Sequence, residues 1–380
     1  MKVSLTDICD FQGGTQPPKD EWIDQPAQGY VRMLQIRDFT QSDKNYIEYV
    51  KDTGKLKTCI EDDILIGRYG ASIGKILTGL AGAYNVAIVK TIPDEKVVSK
   101  KYLYWYLNSQ YFQRFISNVG SRAAQAGFNK NDLGAAQIPL VDKERQEEIC
   151  EVLEKANKLI SLRKQQLAKL DELVKVRFVE MFGDPVSNPL HWKKVKLSEL
   201  ADIKIGPFGS LLHKEDYVTG GHPLVNPSHI INGKIIVDND LTLTEGKYFE
   251  LSAYHLKKND VVLGRRGEMG RCAVVDEEGL LCGTGSLLIR TNGTVTADYI
   301  QKIISFPTFK KTIEDMAVGQ TMPNLNVPIV SNFMIIVPPL SVQKDYYDFV
   351  ECVAQQKQTV QQSLDKLELM KKALMQEYFG

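Results

Sequence analysis

The sequence lacks metal-site signatures. Six cysteines stand at 9, 59, 150, 272, 282 and 352, and none forms a Cys-x-x-Cys pair. All five histidines lie between 191 and 255, without zinc spacing to any cysteine. The expectation is reduced, mostly buried thiols and no metal. Excess charge of either sign is absent too, with 47 Lys plus Arg against 47 Asp plus Glu. The chain is not polybasic, so nucleic-acid binding would rest on local positive patches or on a partner. No apolar run reaches the ~20 residues that cross a membrane. The opening "MKVSLTDICDF" has no apolar signal-peptide core. A cytoplasmic location is therefore expected. What is present is ordinary: 380 residues with 43% hydrophobic content, enough for two or three domains with real cores.

One stretch invites a nucleotide reading. "LIGRYGASIGKIL" (65–77) places Gly74-Lys75 after an apolar run. A phosphate loop needs G-x-x-x-x-G-K-[ST], with the hydroxyl on Mg²⁺. Only three residues separate Gly70 from Gly74, and Ile76 stands where the hydroxyl belongs. The pattern is that of a glycine-punctuated β-hairpin.

The chain is written twice. "DILIGRYG" (63–70) returns as "DVVLGRRG" (260–267), 197 positions later. "KYLYWYLNSQYFQRFI" (101–116) returns as "DYIQKIISFPTFKKTI" (298–313), and "LAKLDELVKVRFVEMFG" (167–183) as "LDKLELMKKALMQEYFG" (364–380), with the same displacement. "VSLTDICDFQGGT" (3–15) resembles "VKLSELADIKIGP" (195–207). Separate blocks in one register mark an internal duplication. The hairpin twin "LGRRGEMGRCAV" drops one residue between its later glycines. A phosphate loop would not survive that deletion, whereas a hairpin carrying basic residues would.

Each copy opens with alternating, turn-rich sequence, so 1–95 and 192–295 are expected to be mainly strands and turns. Ser99 and Thr296 are N-cap candidates for two aromatic helices, and Pro307 should kink or break the second. Gly/Gln/Asn stretches follow at 119–133 and 318–330, then proline-bearing strands. Asp142 and Ser341 are expected to cap the two longest periodic segments.

Those segments carry the clearest signal. Ile149, Leu153, Ala156, Ile160, Leu167, Leu170, Val174 and Met181 recur at 4–3 spacing, and Tyr346, Val350, Val353, Val360, Leu364 and Leu367 repeat the register. This is a coiled-coil stripe. Arg163 and Lys357 interrupt it, aligned with Val360 and Ile160 of the other copy. Such residues either fix register or extend to solvent. A helix of ~40 residues is ~60 Å long.

This order of elements resembles the specificity subunit of a Type I restriction-modification system. The resemblance is carried by "FQGGTQPP" and "IKIGPFGS", then "VRMLQIRDF" and "HPLVNPSHI", then the two hairpins. "IPLVDKERQEEI" and "VPPLSVQKDYYDF" open the long helices, and the FG-terminated blocks close them. It spans essentially the whole chain. Family members often carry Glu-Gln at the helix entry; here Arg145-Gln146 and Val342-Gln343 keep the glutamine.

The resemblance implies an α+β fold. It has two similar β-rich target-recognition domains, each followed by a long α-helix. The two helices would pack as an antiparallel coiled coil, giving an internal duplication with pseudo-twofold symmetry. The boundaries are a first recognition domain at 1–141, a central helix at 142–183, a second domain at 184–340 and a C-terminal helix at 341–380. Each domain would read one half of a split site on double-stranded DNA. The helices would set the gap and dock two methylation subunits. S-adenosylmethionine would sit on those subunits, and ATP and Mg²⁺ on restriction subunits; the chain itself would hold no cofactor and catalyse nothing.

The residues agree with a non-catalytic role. "NPLHW" and "VNPSHI" lack the second proline and the placed aromatic of an amino-methyltransferase motif. Asp62-Asp63 and Asp238 with Asp240 read as turn residues rather than a nuclease pair. For base reading, arginine suits guanine, and Asn or Gln suits adenine. The hairpins offer Arg68, Tyr69 and Lys75, then Arg265, Arg266 and Arg271. The Gly/Gln/Asn stretches offer Arg122, Gln125, Asn129 and Lys130, then Gln320, Asn324 and Asn326. The early segments offer Gln35 and Arg37, then Ser228 and His229. The hairpin arginines lead, because both copies keep a basic residue beside a glycine. Tyr69 and His229 have a competing reading as core residues. Rival functions are a coiled-coil scaffold with protein-binding β-rich domains, a fused nuclease or methyltransferase, and a specificity subunit of a methylation-only system.

Overall fold

The structure, a computed structural model, describes residues 1–41, 46–122, 127–208, 211–317 and 324–380. It divides into two compact units: Met1–Leu167 with Thr359–Gly380, and Ala168–Gln358. Each boundary falls inside a long helix, Lys143–Phe182 or Leu340–Phe379. No helix among the described residues is long and apolar enough to cross a membrane.

The first unit is built on an antiparallel sheet ordered Cys9–Gly13, Ile88–Pro93, Leu65–Gly67, Ile76–Leu77. Alternation does the work: Ile66 and Val89 face the main core, while Leu65 and Ile88 face a second small cluster with Leu34 and Tyr84. A five-stranded sheet adds Trp22–Ile23, Tyr49–Lys51, Tyr30–Leu34, Gly82–Tyr84 and Thr58–Cys59. In it Tyr30–Leu34 and Gly82–Tyr84 run parallel.

The second unit repeats the plan. Its main sheet is Ala201–Ile205, Ser286–Thr291, Asp260–Gly264, Cys272–Val274. Its second sheet has four strands, again with one parallel pair, His222–Val225 and Leu281–Cys282. Proline-bearing strands close both units, Gln137–Pro139 on Lys2–Ser4 and Met334–Ile336 on Lys194–Lys196.

The aromatic helices form as their caps dictate. Ser99 accepts from Tyr102 N and Thr296 from Tyr299 N, both at 3.2 Å. Pro307 breaks rather than kinks: one helix ends at Ile304, and Pro307 takes the first position of the next, where its missing N–H costs nothing. Asp142 caps Lys143–Phe182 by accepting from Arg145 N (2.8 Å). The expected Ser341 cap is corrected. The helix starts at Leu340, directly after Pro338-Pro339, so Ser341 lies inside the first turn and the prolines set the boundary.

The entry glutamines have a structural task. Gln146 is buried; its Oε1 accepts from Ser99 N (2.9 Å) and its Nε2 donates to the Val97 and Val141 carbonyls. Gln343 repeats this, accepting from Thr296 N (3.0 Å) and donating to Pro338 O (2.9 Å). Each fixes the start of a long helix to the cap of an aromatic helix.

Within each unit the two helical segments run antiparallel. In the first, Lys371 reaches Asn157 and Lys164 pairs with Glu368. In the second, Lys357 pairs with Asp171, and the Tyr346 hydroxyl donates to Val174 O (3.3 Å). The stripe is the packed face: Ile149, Leu153, Ala156, Ile160, Leu170, Tyr346, Val353, Val360 and Leu364 are buried. Leu167, Val174, Met181, Val350 and Leu367 are half-buried. The two interruptions are bonded rather than released to solvent. Arg163 Nε donates to Ser363 Oγ (3.2 Å), and Lys357 Nζ to Asp171 Oδ1 (2.5 Å).

The helix ends supply aromatic plugs. Phe379 is fully buried against Tyr102 (5.1 Å between ring centroids) and Tyr106. Phe182 is fully buried against Tyr299 (5.1 Å) and Tyr346. Each plug thus enters the domain of the other repeat.

Candidate nucleic-acid interface

The glycine hairpin is the most regular part of the site. Strands Leu65–Gly67 and Ile76–Leu77 are joined through the short turn Gly70–Ser72. Gly67 N donates to Lys75 O (2.9 Å), and in the second half Gly264 N donates to Arg271 O (2.8 Å). The late glycines explain the apparent phosphate motif. Gly74 and Gly270 have φ of +75° and +73°, and an added Cβ would meet Ile116 Cγ2 at 2.5 Å or Lys310 Cγ at 2.7 Å. They permit a left-handed turn against a helix, not a phosphate cradle.

The leading arginine candidates are partly engaged within their own domains. Arg68 Nε donates to Phe128 O (2.9 Å), and Arg265 Nε donates to Leu325 O (3.1 Å). These are equivalent bonds in the two halves. Each ties the hairpin to the residue before a helix N-cap, so the Nε–H of each guanidinium is committed inside the domain. Arg265 also reaches Thr284 O (3.5 Å), and burial together with the Arg266 charge holds it below the usual arginine range. Arg271 is tied down further, with Nε and Nη2 on Glu268 and Nη1 on Pro227 O. Lys310 and Arg271 lower the Glu268 carboxyl below its ordinary value, by hydrogen bonds first and charge second.

Exposure separates the remaining hairpin candidates. Tyr69 is 41% exposed, which corrects its reading as a core residue. Its ring lies over Gly127, where a Cβ would stand 2.6 Å from Tyr69 Cδ1. Arg266 and Lys75 are exposed.

The Gly/Gln/Asn stretches are partly described. Gln125 and Gln320 lie outside the described residues, as does the Arg122 side chain at the end of the helix Gln110–Arg122. Asn129 and Asn326 are exposed N-caps, accepting from Asp132 N (3.1 Å) and Ile329 N (3.0 Å). Their oxygens are used locally, which weighs against adenine reading. Lys130 pairs with Asp10, whose carboxyl this bond lowers below its usual range. Asn324 is half-buried and its Oδ1 has no hydrogen-bond partner among the described residues.

In the early segments Gln35 caps the helix Ile36–Thr40 and donates from Nε2 to Glu48 Oε2 (2.6 Å). Arg37 donates to the same carboxylate and lies over the Tyr46 ring. Lys19 binds the other oxygen (2.5 Å). Glu48, only 6% exposed, therefore gathers three donors. Sequence reading missed it, because a lone Glu in "NYIEYV" carries no motif. Ser228 is exposed, while His229 is buried with Nδ1 2.7 Å from Leu224 O, a core histidine rather than a base reader.

The thiols are free. Cys9, Cys59, Cys150, Cys272 and Cys282 are buried and Cys352 is exposed. Burial pushes Cys9, Cys272 and Cys282 up to about 12.

Comparison with known proteins bears on the fold and the family. A family model described as the Type I restriction modification DNA specificity domain matches residues 1–172 and 189–369. Two specificity subunits of Methanocaldococcus jannaschii, of the Type I restriction enzymes MjaVIII and MjaIX, are each 22% identical. The first alignment covers 98% of this chain and 90% of the relative, the second 91% and 85%. Among solved structures, the fold matches a chain from work on assembly and conformational transition of the type I R-M system. That match has a TM-score of 0.68 at 15% identity, covering 100% of this chain and 97% of the other. The HsdS subunit of Thermoanaerobacter tengcongensis matches with a TM-score of 0.54 at 17% identity, covering 100% and 96%. With both halves matched by that model, the chain belongs to the Type I restriction-modification specificity subunit family.

Proposed function

We propose that this chain is the non-catalytic, cytoplasmic DNA-recognition subunit of a Type I restriction-modification complex, and that each β-rich domain reads one half of a bipartite target. The observation that carries this reading is the repeated constellation. Hairpin, tethering arginine, capping Asn and Gln-locked helix recur at equivalent positions in both halves. Two copies of one reading device on one chain suit a split site. The long helices set the unread gap and dock two methylation subunits. Those subunits carry S-adenosylmethionine, and restriction subunits bring ATP and Mg²⁺.

Net charge bears on affinity. Phosphate contacts supply most of the sequence-independent attraction to DNA. A chain with 47 charges of each sign has little to spare. It binds DNA weakly alone and tightly in complex. The test is co-expression with the neighbouring methylation gene and mapping of methylated adenines. A split motif with an unread gap is the expected result. No association between the two proteins would favour the scaffold reading.

A further inference from the structure

In both hairpins an identical, tethered arginine is followed by an exposed residue that differs between the halves. Arg68 and Arg265 make the same bond to a carbonyl 60 residues on. Their backbones are held alike, Arg68 N on Ala87 O (2.8 Å) and Arg265 N on Gly285 O (2.9 Å). The acceptors Phe128 and Leu325 are buried, at 3% and 0% exposure, and lead directly into the caps Asn129 and Asn326. A second link closes the same joint, an antiparallel bridge between Tyr69 and Gly127 in one half and Leu325 N on Arg265 O (2.9 Å) in the other.

A residue used identically in both halves cannot tell two different half-sites apart. The next position can. It holds Tyr69 in one half and Arg266 in the other, both exposed at the hairpin turn. The other basic pair in the hairpins is Lys75 and Arg271, and Arg271 is spent on Glu268 and Pro227.

We propose that Arg68 and Arg265 are positioning residues that latch the hairpin to the following loop, and that Tyr69 and Arg266 carry base discrimination, Arg266 toward guanine. This rests on the reading that each half recognises its own DNA half-site. Among the described residues the Arg266 guanidinium makes no hydrogen bond or ion pair, which leaves it for a bidentate contact to O6 and N7. Tyr69 offers a phenolic hydroxyl on a ring held in place by Gly127.

The test uses the full chain in complex with its methylation subunit and a DNA library randomised across both half-sites. R266Q is expected to change the base preference at one position of the second half-site by about 5- to 150-fold. It should leave the first half-site unchanged. Y69A should weaken preference at the matching position of the first half-site only. R265A should weaken binding to all second half-site sequences alike, without changing the preferred bases. R265K should recover part of that loss, because an ammonium can reach the same carbonyl. An unchanged motif with R266Q, or an altered base preference with R265A, overturns the assignment. A wild-type complex that selects no split motif removes the reading of function beneath it, and the proposal with it.

Discussion

The two halves of this chain are a comparison made by the molecule itself. What they share is framework: the arginine tether to Phe128 or Leu325, the Gln146 and Gln343 locks, and the Phe379 and Phe182 plugs. What they do not share lies on the second sheet and at the hairpin turn. The first half gathers Lys19, Gln35 and Arg37 on Glu48. The second places buried His229 near the corresponding turn and uses Asn226 Oδ1 to accept from Gly285 N (3.4 Å). Duplication therefore separates residues that build a domain from residues that distinguish one domain from another.

The plugs should give the largest effect. Each is a fully buried phenylalanine, and Phe→Ala in a core costs about 3–5 kcal/mol. Phe379→Ala should destabilise the unit containing the first recognition domain, and Phe182→Ala the unit containing the second. Denaturant midpoints followed by probes in each unit would measure this. A loss below about 1 kcal/mol would show that the plug is dispensable.

A smaller effect is expected at Glu48. Hydrogen bonds to charged groups contribute about 1.5–3 kcal/mol, and Glu48→Gln leaves Lys19 and Arg37 without their counter-charge. The expected cost is about 1–3 kcal/mol of stability, read from a urea midpoint, with weaker selection at the first half-site and none at the second. An equal effect on both half-sites would break the distinction between the halves.

The fold was largely legible because the sequence states it twice. The 4–3 stripe, the Ser99 and Thr296 caps and the hairpin register all follow from local patterns that recur. The Ser341 cap failed because the preceding prolines outrank a favourable cap residue. The site was legible only as a neighbourhood. Sequence places arginine beside glycine, but cannot show that Nε is spent on a carbonyl 60 residues away. Nor can it show that Asn129 and Asn326 use their oxygens as caps, or that Glu48 is the hub of its half, because those partners lie across turns without a shared motif.

The central claim is that each half reads its own half-site. It is tested most directly by exchanging residues 1–141 for the equivalent segment of a relative with a different known motif. The donor should keep an aromatic residue at the Tyr102 position, so that the Phe379 plug still fits. Methylated adenines would then be mapped for the chimaeric complex. One half of the motif should change to the donor's, while the other half and the gap stay as they were. A motif unchanged by the exchange, or changed in both halves, would contradict it.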